Sequence, residues 1–165
     1  MFIAVAVIGR LAFAMIPQVK PVLAIIIISG ICMGAENGFI VGMLTAFLSN
    51  FFFGQGPWTP WQMFSMGIVG LLAGLIFYNK RDRVNIFIVC IFGGLSSLLV
   101  YSVINNFGSM IMMQANISIL SFLTYTFAGL SMDITLSVST VLFLCVLLKP
   151  MLNMMEIMKE KYLVK

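Results

Sequence analysis

Between Val84 and Met132 the chain runs for 49 residues without an Asp, Glu, Lys or Arg. A soluble domain draws roughly a quarter of its residues from those four types. A gap of this length leaves too little polar surface to face water. The rest of the chain has the same character: 8% of the 165 residues are charged and 62% are apolar. A water-soluble fold of this size cannot hide so much apolar surface. An ordinary soluble enzyme and a disordered chain are therefore both excluded. The composition predicts an all-α integral membrane protein with several spans and almost no domain outside the bilayer. The 9 basic residues outnumber the 5 acidic ones, but they cluster at span ends. That pattern belongs to membrane topology, not to nucleic acid.

The sequence also removes chemistry. It contains no His, so histidine acid–base catalysis, Ser-His-Asp triads and HExxH zinc sites are closed to it. No GxxxxGK[ST] run is present, so it does not bind ATP through a P-loop. Cys32, Cys90 and Cys145 are far apart within apolar runs. They suit packing better than metal ligation or a disulfide framework. Met110, Met112 and Met113, and Met151, Met154, Met155 and Met158, read as flexible apolar packing. No metal and no cofactor are expected.

Uncharged stretches delimit six spans, at about 1–16, 22–34, 38–53, 61–78, 84–105 and 133–148. The first begins without a basic n-region and does not read as a signal peptide. As a helix it measures about 24 Å at ~1.5 Å per residue, short of a ~30 Å hydrocarbon core. Either N-terminal residues are missing or this helix is thinly anchored. Pro17-Gln18-Val19-Lys20-Pro21 forms a loop. Val22–Phe53 would run about 48 Å as one helix, so two short spans turning at Gly34-Ala35-Glu36-Asn37-Gly38 fit better. Gly54–Pro60 is a second loop. The piece 106–131 is polar-spotted and suits a re-entrant or interfacial helix. An amphipathic tail occupies 150–165.

Six spans place both termini on one side. That side receives Lys80, Arg81, Arg83, Lys159, Lys161 and Lys165, with Lys149 close by, while the other receives Lys20. The excess of positive charge predicts cytoplasmic termini. The loops at 17–21 and 54–60 then face outward, with the region around 106–131.

Small residues recur every four positions at Gly30, Gly34, Gly38, Gly42 and Ala46, and again at Gly67, Gly70, Ala73 and Gly74. Such stripes let helices approach closely in lipid. Packing inside the bundle explains them most simply; the sharper alternative is a face for a partner helix. In the first span Ala6, Gly9 and Ala12 repeat every three residues, with Ala4 at the same end. Partner docking and internal packing stand equal there.

The most informative stretch runs from Ser49 to Met63. Trp58 and Trp61 at an outer boundary are explained by an aromatic belt. A belt does not need Gly54-Gln55-Gly56, Pro57, Thr59, Pro60 and Gln62 as well. Gly admits close backbone approach, Pro rigidifies, and Trp offers a flat face with one N–H donor. Together they suit a rigid recognition loop over a planar or bulky ligand. Polar residues within apolar spans are functional candidates by default. Asn50, Asn105, Asn106 and Asp133 end or begin spans on the outer side, beside Gln18, Lys20 and Gln62. Arg10 lies mid-span and needs a partner, of which Asp133 is one candidate. Glu36 lies near the inner surface, where a turn cap explains it.

These motifs together resemble the substrate-binding S components of energy-coupling factor (ECF) vitamin transporters. The resemblance covers nearly the whole chain. It runs from Gly9-Arg10 through Pro17–Pro21 and the Gly-spaced helices to Gly56-Pro57-Trp58-Thr59-Pro60-Trp61-Gln62. It ends with the Asp133-bearing last helix and Lys159-Glu160-Lys161-Tyr162. Within the family it is most similar to cobalamin-type members, with riboflavin or another vitamin the next substrate. The resemblance implies a six-helix binding protein in the bacterial plasma membrane. Its implied partners are a transmembrane coupling subunit and two cytoplasmic ATPases. Family members often dock through an AxxxA motif in the first helix; Ala4, Ala6, Gly9 and Ala12 stand in its place here.

Two other functions compete. A self-sufficient secondary transporter or channel would use intramembrane carboxylates, for which Glu36 and Asp133 are the candidates. A non-transporting assembly subunit would have no use for the Trp58–Gln62 loop. An intramembrane enzyme is more distant, because Asp133 and Glu36 fall on opposite sides and no acid–base pair converges.

Overall fold

A computed structural model describes residues 1–113 and 118–163. They form six helices. Helix α1 is Phe2–Ala12, α2 Val22–Met33, α3 Ala35–Phe53 and α4 Thr59–Phe77. Helix α5 spans Ile86–Met113 and α6 spans Ile119–Leu163. A short 3-10 segment, Tyr78–Arg83, follows α4. Three helices are long and apolar enough to cross a membrane: Thr59–Lys80, Ile86–Met113 and Ile119–Met158. Helices α1 and α2 are apolar but shorter. The fold is that of an all-α membrane protein.

Helix α2 is apolar on every side, and each residue from Val22 to Cys32 is buried. A helix of that kind belongs in the middle of a bundle. The others pack round it in alternating directions. Gly38 of α3 abuts Gly70 of α4, while Gly42 abuts Met66 and Ala35 abuts Gly74. Rising numbers on α3 thus meet falling numbers on α4. A Cβ at Gly30, Gly38 or Gly70 would collide with backbone of the facing helix. The small-residue stripes are therefore consumed inside the bundle, where main chain touches main chain.

Several boundaries differ from those expected. The first helix ends at Ala12, and Phe13–Ile16 unwinds into turns, because Pro17 keeps the residue before it out of the α region. The α2–α3 joint is one residue, Gly34, at φ 93°, where a side chain would be strained. Helix α3 therefore starts at Ala35, ahead of the expected 38–53 span. Helix α5 does not stop at Asn105 but continues to Met113. Helix α6 starts at Ile119, well before Asp133, and passes through Pro150. Its 45 residues measure about 68 Å at ~1.5 Å per residue. The described residues of the piece 106–131 thus include the last turns of α5, to Met113, and the first turns of α6, from Ile119. No proline stands between Asn105 and Met113 or between Ile119 and Asp133, and Gly108 and Gly129 are each accommodated inside a helix. Residues 114–117, Lys165 and the side chains of Arg81, Arg83 and Lys159 lie outside the described residues.

One irregularity interrupts α5. Ser97–Ser102 is a π-helical segment between α-helical Ile86–Ser96 and Val103–Met113. Ser96 and Ser97 hydroxyls bond back to the carbonyls of Gly93 and Gly94, and the Ser102 hydroxyl donates to the Ser97 carbonyl at 3.0 Å. Such side-chain bonds compete with the regular ladder. Single π turns in α-helices recur at functional sites.

Candidate functional site

Four segments meet at the bundle end where α1, α3 and α5 finish. They enclose a cavity of about 240 Å³. The α1–α2 loop supplies Gln18, and the start of α4 supplies Trp58, Trp61 and Gln62. Helix α5 supplies Tyr101, Asn105, Asn106, Ser109 and Met112. Helix α6 supplies Gly129, Met132 and Asp133.

Behind the α4 wall lies a buried polar cluster built on Arg10. Its guanidinium donates to the Ser49 hydroxyl, to Asn50 Oδ1 at 3.1 Å and to Gln62 Oε1 at 3.4 Å. Asn50 Nδ2 donates to Gln62 Oε1 at 3.0 Å and to Thr59 Oγ1 at 3.1 Å. The Gly56 amide also donates to Thr59 Oγ1, at 3.3 Å. A buried charge needs such neighbours. The expected pairing of Arg10 with Asp133 is replaced by this cluster. The Arg10 guanidinium also sits 5.1 Å from the Phe53 ring centre, and Lys20 Nζ lies 5.2 Å from the same ring.

The loop glycine and the tryptophans fit as a unit. The Trp58 ring rests on Gly56, where a Cβ would strike it. Trp61 fills the space left by Gly108 of α5 and meets Phe107 edge-to-face at 5.9 Å. Asn105 Nδ2 donates to Ser65 Oγ at 2.8 Å and to the Tyr101 carbonyl at 2.7 Å. Asn106 Nδ2 donates to Asp133 Oδ2 at 3.0 Å. Gln18 reaches the cavity from a left-handed backbone, φ 58°, an uncommon conformation for a residue with a Cβ.

Of the residues singled out from sequence, Gln18, Trp58, Trp61, Gln62, Asn105, Asn106 and Asp133 come together on the cavity. Asn50 and Thr59 stand one layer behind. Two lie elsewhere. Gln55 turns back to donate to the Phe47 carbonyl at 3.0 Å, because the glycines on either side let the loop fold over the end of α3. Lys20 is held by its backbone, whose N–H donates to Ser139 Oγ at 3.0 Å, and by Phe53. Partial burial, then the charge of Arg10, lowers its pKa below the usual lysine value. Sequence reasoning missed Tyr101, Ser109, Met112, Gly129 and Met132. The four-residue steps from Tyr101 to Asn105 to Ser109 were the available signal. They mark one helix face, visible once α5 is allowed past Asn105.

Two further expectations need correction. The first-helix stripe is split: Ala6 is buried and Gly9 packs on Pro21, whereas Ala4 and Ala12 are exposed. Steps of three precess round a helix of 3.6 residues per turn, so the four do not share a face. The cysteines are not all scattered either. Antiparallel packing of α5 on α6 brings Cys90 Sγ to 3.3 Å from Cys145 Sγ.

Comparison with known proteins follows this geometry. The family model for the substrate-specific component of ECF transporters matches residues 1–163. The chain belongs to this family. The S component is also similar to uncharacterised-family UPF0397 proteins. It is 32% identical to one from Aliivibrio fischeri over 39% of this chain and 35% of that protein. It is 34% identical to one from Aliivibrio salmonicida over 41% and 38%. The matched segment thus spans little more than a third of these relatives. No solved structure matches the S component. The family is one of transporter components and not of enzymes.

Proposed function

We propose that this S component captures a vitamin-like small molecule in the cavity between α4, α5 and α6. It passes the molecule to a transmembrane coupling subunit driven by two cytoplasmic ATPases in the bacterial plasma membrane. One observation carries the reading: seven residues from four separate segments converge on one cavity. Gln18, Trp58, Trp61, Gln62, Asn105, Asn106 and Asp133 contact the substrate. Asn50 and Thr59 hold Gln62 and the loop in place. The indoles supply flat apolar area and the amides and carboxylate supply orientation, the usual division in small-molecule sites.

The cavity volume favours a compact substrate. At about 240 Å³ it lies below the roughly 300–1,000 Å³ of typical ligand pockets. A corrinoid needs far more, so the reading shifts from cobalamin to a smaller vitamin. The docking reading of α1 narrows to its exposed face, with Ala4 and Ala12 flanking Ile8.

Calorimetry on the purified protein tests the reading, with cobalamin, riboflavin, folate, biotin, thiamine and pantothenate as ligands. Tight binding of one compact member is expected, weakened at least tenfold by Trp58→Ala or Gln62→Ala. Absence of tight binding across the panel would remove the vitamin reading.

A further inference from the structure

Resting on that capture role, we infer that the ligand is a compact, flat nitrogen heterocycle carrying an amino or cationic edge. An anionic acid is the wrong partner for the Asp133–Asn105–Asn106 wall.

The amide bonds fix which atoms remain to be offered. Both N–H groups of Asn105 are engaged, by Ser65 Oγ and the Tyr101 carbonyl, which leaves Oδ1 as its free group. Asn106 has one N–H on Asp133 Oδ2, so its Oδ1 and the second Asp133 oxygen are available. Asn105 and Asp133 therefore present acceptors, and Asn106 presents an acceptor beside its second N–H. Across the cavity the order is reversed. Gln62 Oε1 already accepts from Arg10 and Asn50, so Gln62 offers its Nε2 donors. Trp58 and Trp61 add indole faces and N–H donors.

Charge points the same way. Asp133 is the charged residue on the lining. Arg10 is bound up with Ser49, Asn50 and Gln62, and Lys20 lies over Phe53. Neither cation lies on the lining itself, although Arg10 reaches it through Gln62. A carboxylate or phosphate placed against Asp133 would meet a like charge. A donor-bearing or cationic edge meets acceptors instead, and a flat ring stacks on the indoles.

The only two Trp in the chain are Trp58 and Trp61, so intrinsic fluorescence reports on this site. The full chain in detergent is titrated with 2,4-diaminopyrimidine, adenine and thiamine, and separately with nicotinate, pantothenate and biotin. Quenching by at least one aminated probe and none by the acids is expected. Asp133→Asn then weakens that probe at least tenfold, while Asp133→Glu keeps it within a few-fold. Acids binding with the aminated probes inert overturns the ligand class and leaves the capture role standing. Aminated probes unaffected by Asp133→Asn overturn the carboxylate's part in the class. Silence from all six overturns both. Should Asp133→Asn not fold, the wild-type panel decides the class alone.

Discussion

Gln62 is where the buried cluster becomes a binding surface. Its carbonyl is held by Arg10 and Asn50, and that grip decides which half of the amide faces the cavity. Arg10 thus shapes recognition without lining the site. Replacing it by Met leaves the Gln62 carbonyl held by Asn50 alone and takes a donor from Asn50 Oδ1 and Ser49 Oγ. A buried polar group left unsatisfied costs roughly 1–3 kcal/mol. Arg10→Met is therefore expected to lower the thermal midpoint and to weaken ligand binding severalfold. Differential scanning fluorimetry and tryptophan quenching measure the two effects. Unchanged affinity in a folded Arg10→Met protein would sever the link between cluster and site. The sequence announced this cluster only in part. Arg10 was visible as a cation needing company, but its partners lie 39 to 52 positions away, a distance no local pattern spans.

At the level of helices, the legible features were those set by composition and breakers. Pro17, Pro21, Gly34 and the Gly54–Pro60 loop punctuate the chain where expected, within a few residues. The ends of α5 and the start of α6 were not legible, because an uncharged run carries no mark for where membrane or helix ends. The π turn at Ser97–Ser102 was hidden for a related reason. Its serines read as polar spots, while their effect depends on bonding back to Gly93, Gly94 and Ser97. The pairing of α5 with α6 has a direct check. Copper-phenanthroline oxidation should join Cys90 to Cys145, two thiols 3.3 Å apart, and mass spectrometry of the digested protein identifies the linked peptides. Linkage of Cys32 to either partner instead would contradict the packing.

For the whole molecule, alternating helix directions carry the cavity and the chain termini to opposite ends of the bundle. Cytoplasmic termini, as we propose, would open the cavity outward and put the C-terminal end of α6 inside. Cysteines introduced near Met1 and near Ile157 should react with a membrane-impermeant maleimide only after cells are broken. Labelling of either in intact cells would invert the topology. The chain alone is expected to bind ligand but not to concentrate it in proton-loaded liposomes; accumulation there would favour a secondary transporter.

Helix α1 has 11 residues and places a guanidinium among them. Arg10 sits in its last turn, and a cation on an apolar helix opposes insertion the more deeply it is carried into the bilayer. The groups that accommodate the charge, Ser49, Asn50 and Gln62, are synthesised later. Helix α1 is therefore made before the groups that settle its charge, and it finds its place in the bundle only after them. A nascent chain halted before Ser49 holds Arg10 with none of these three partners.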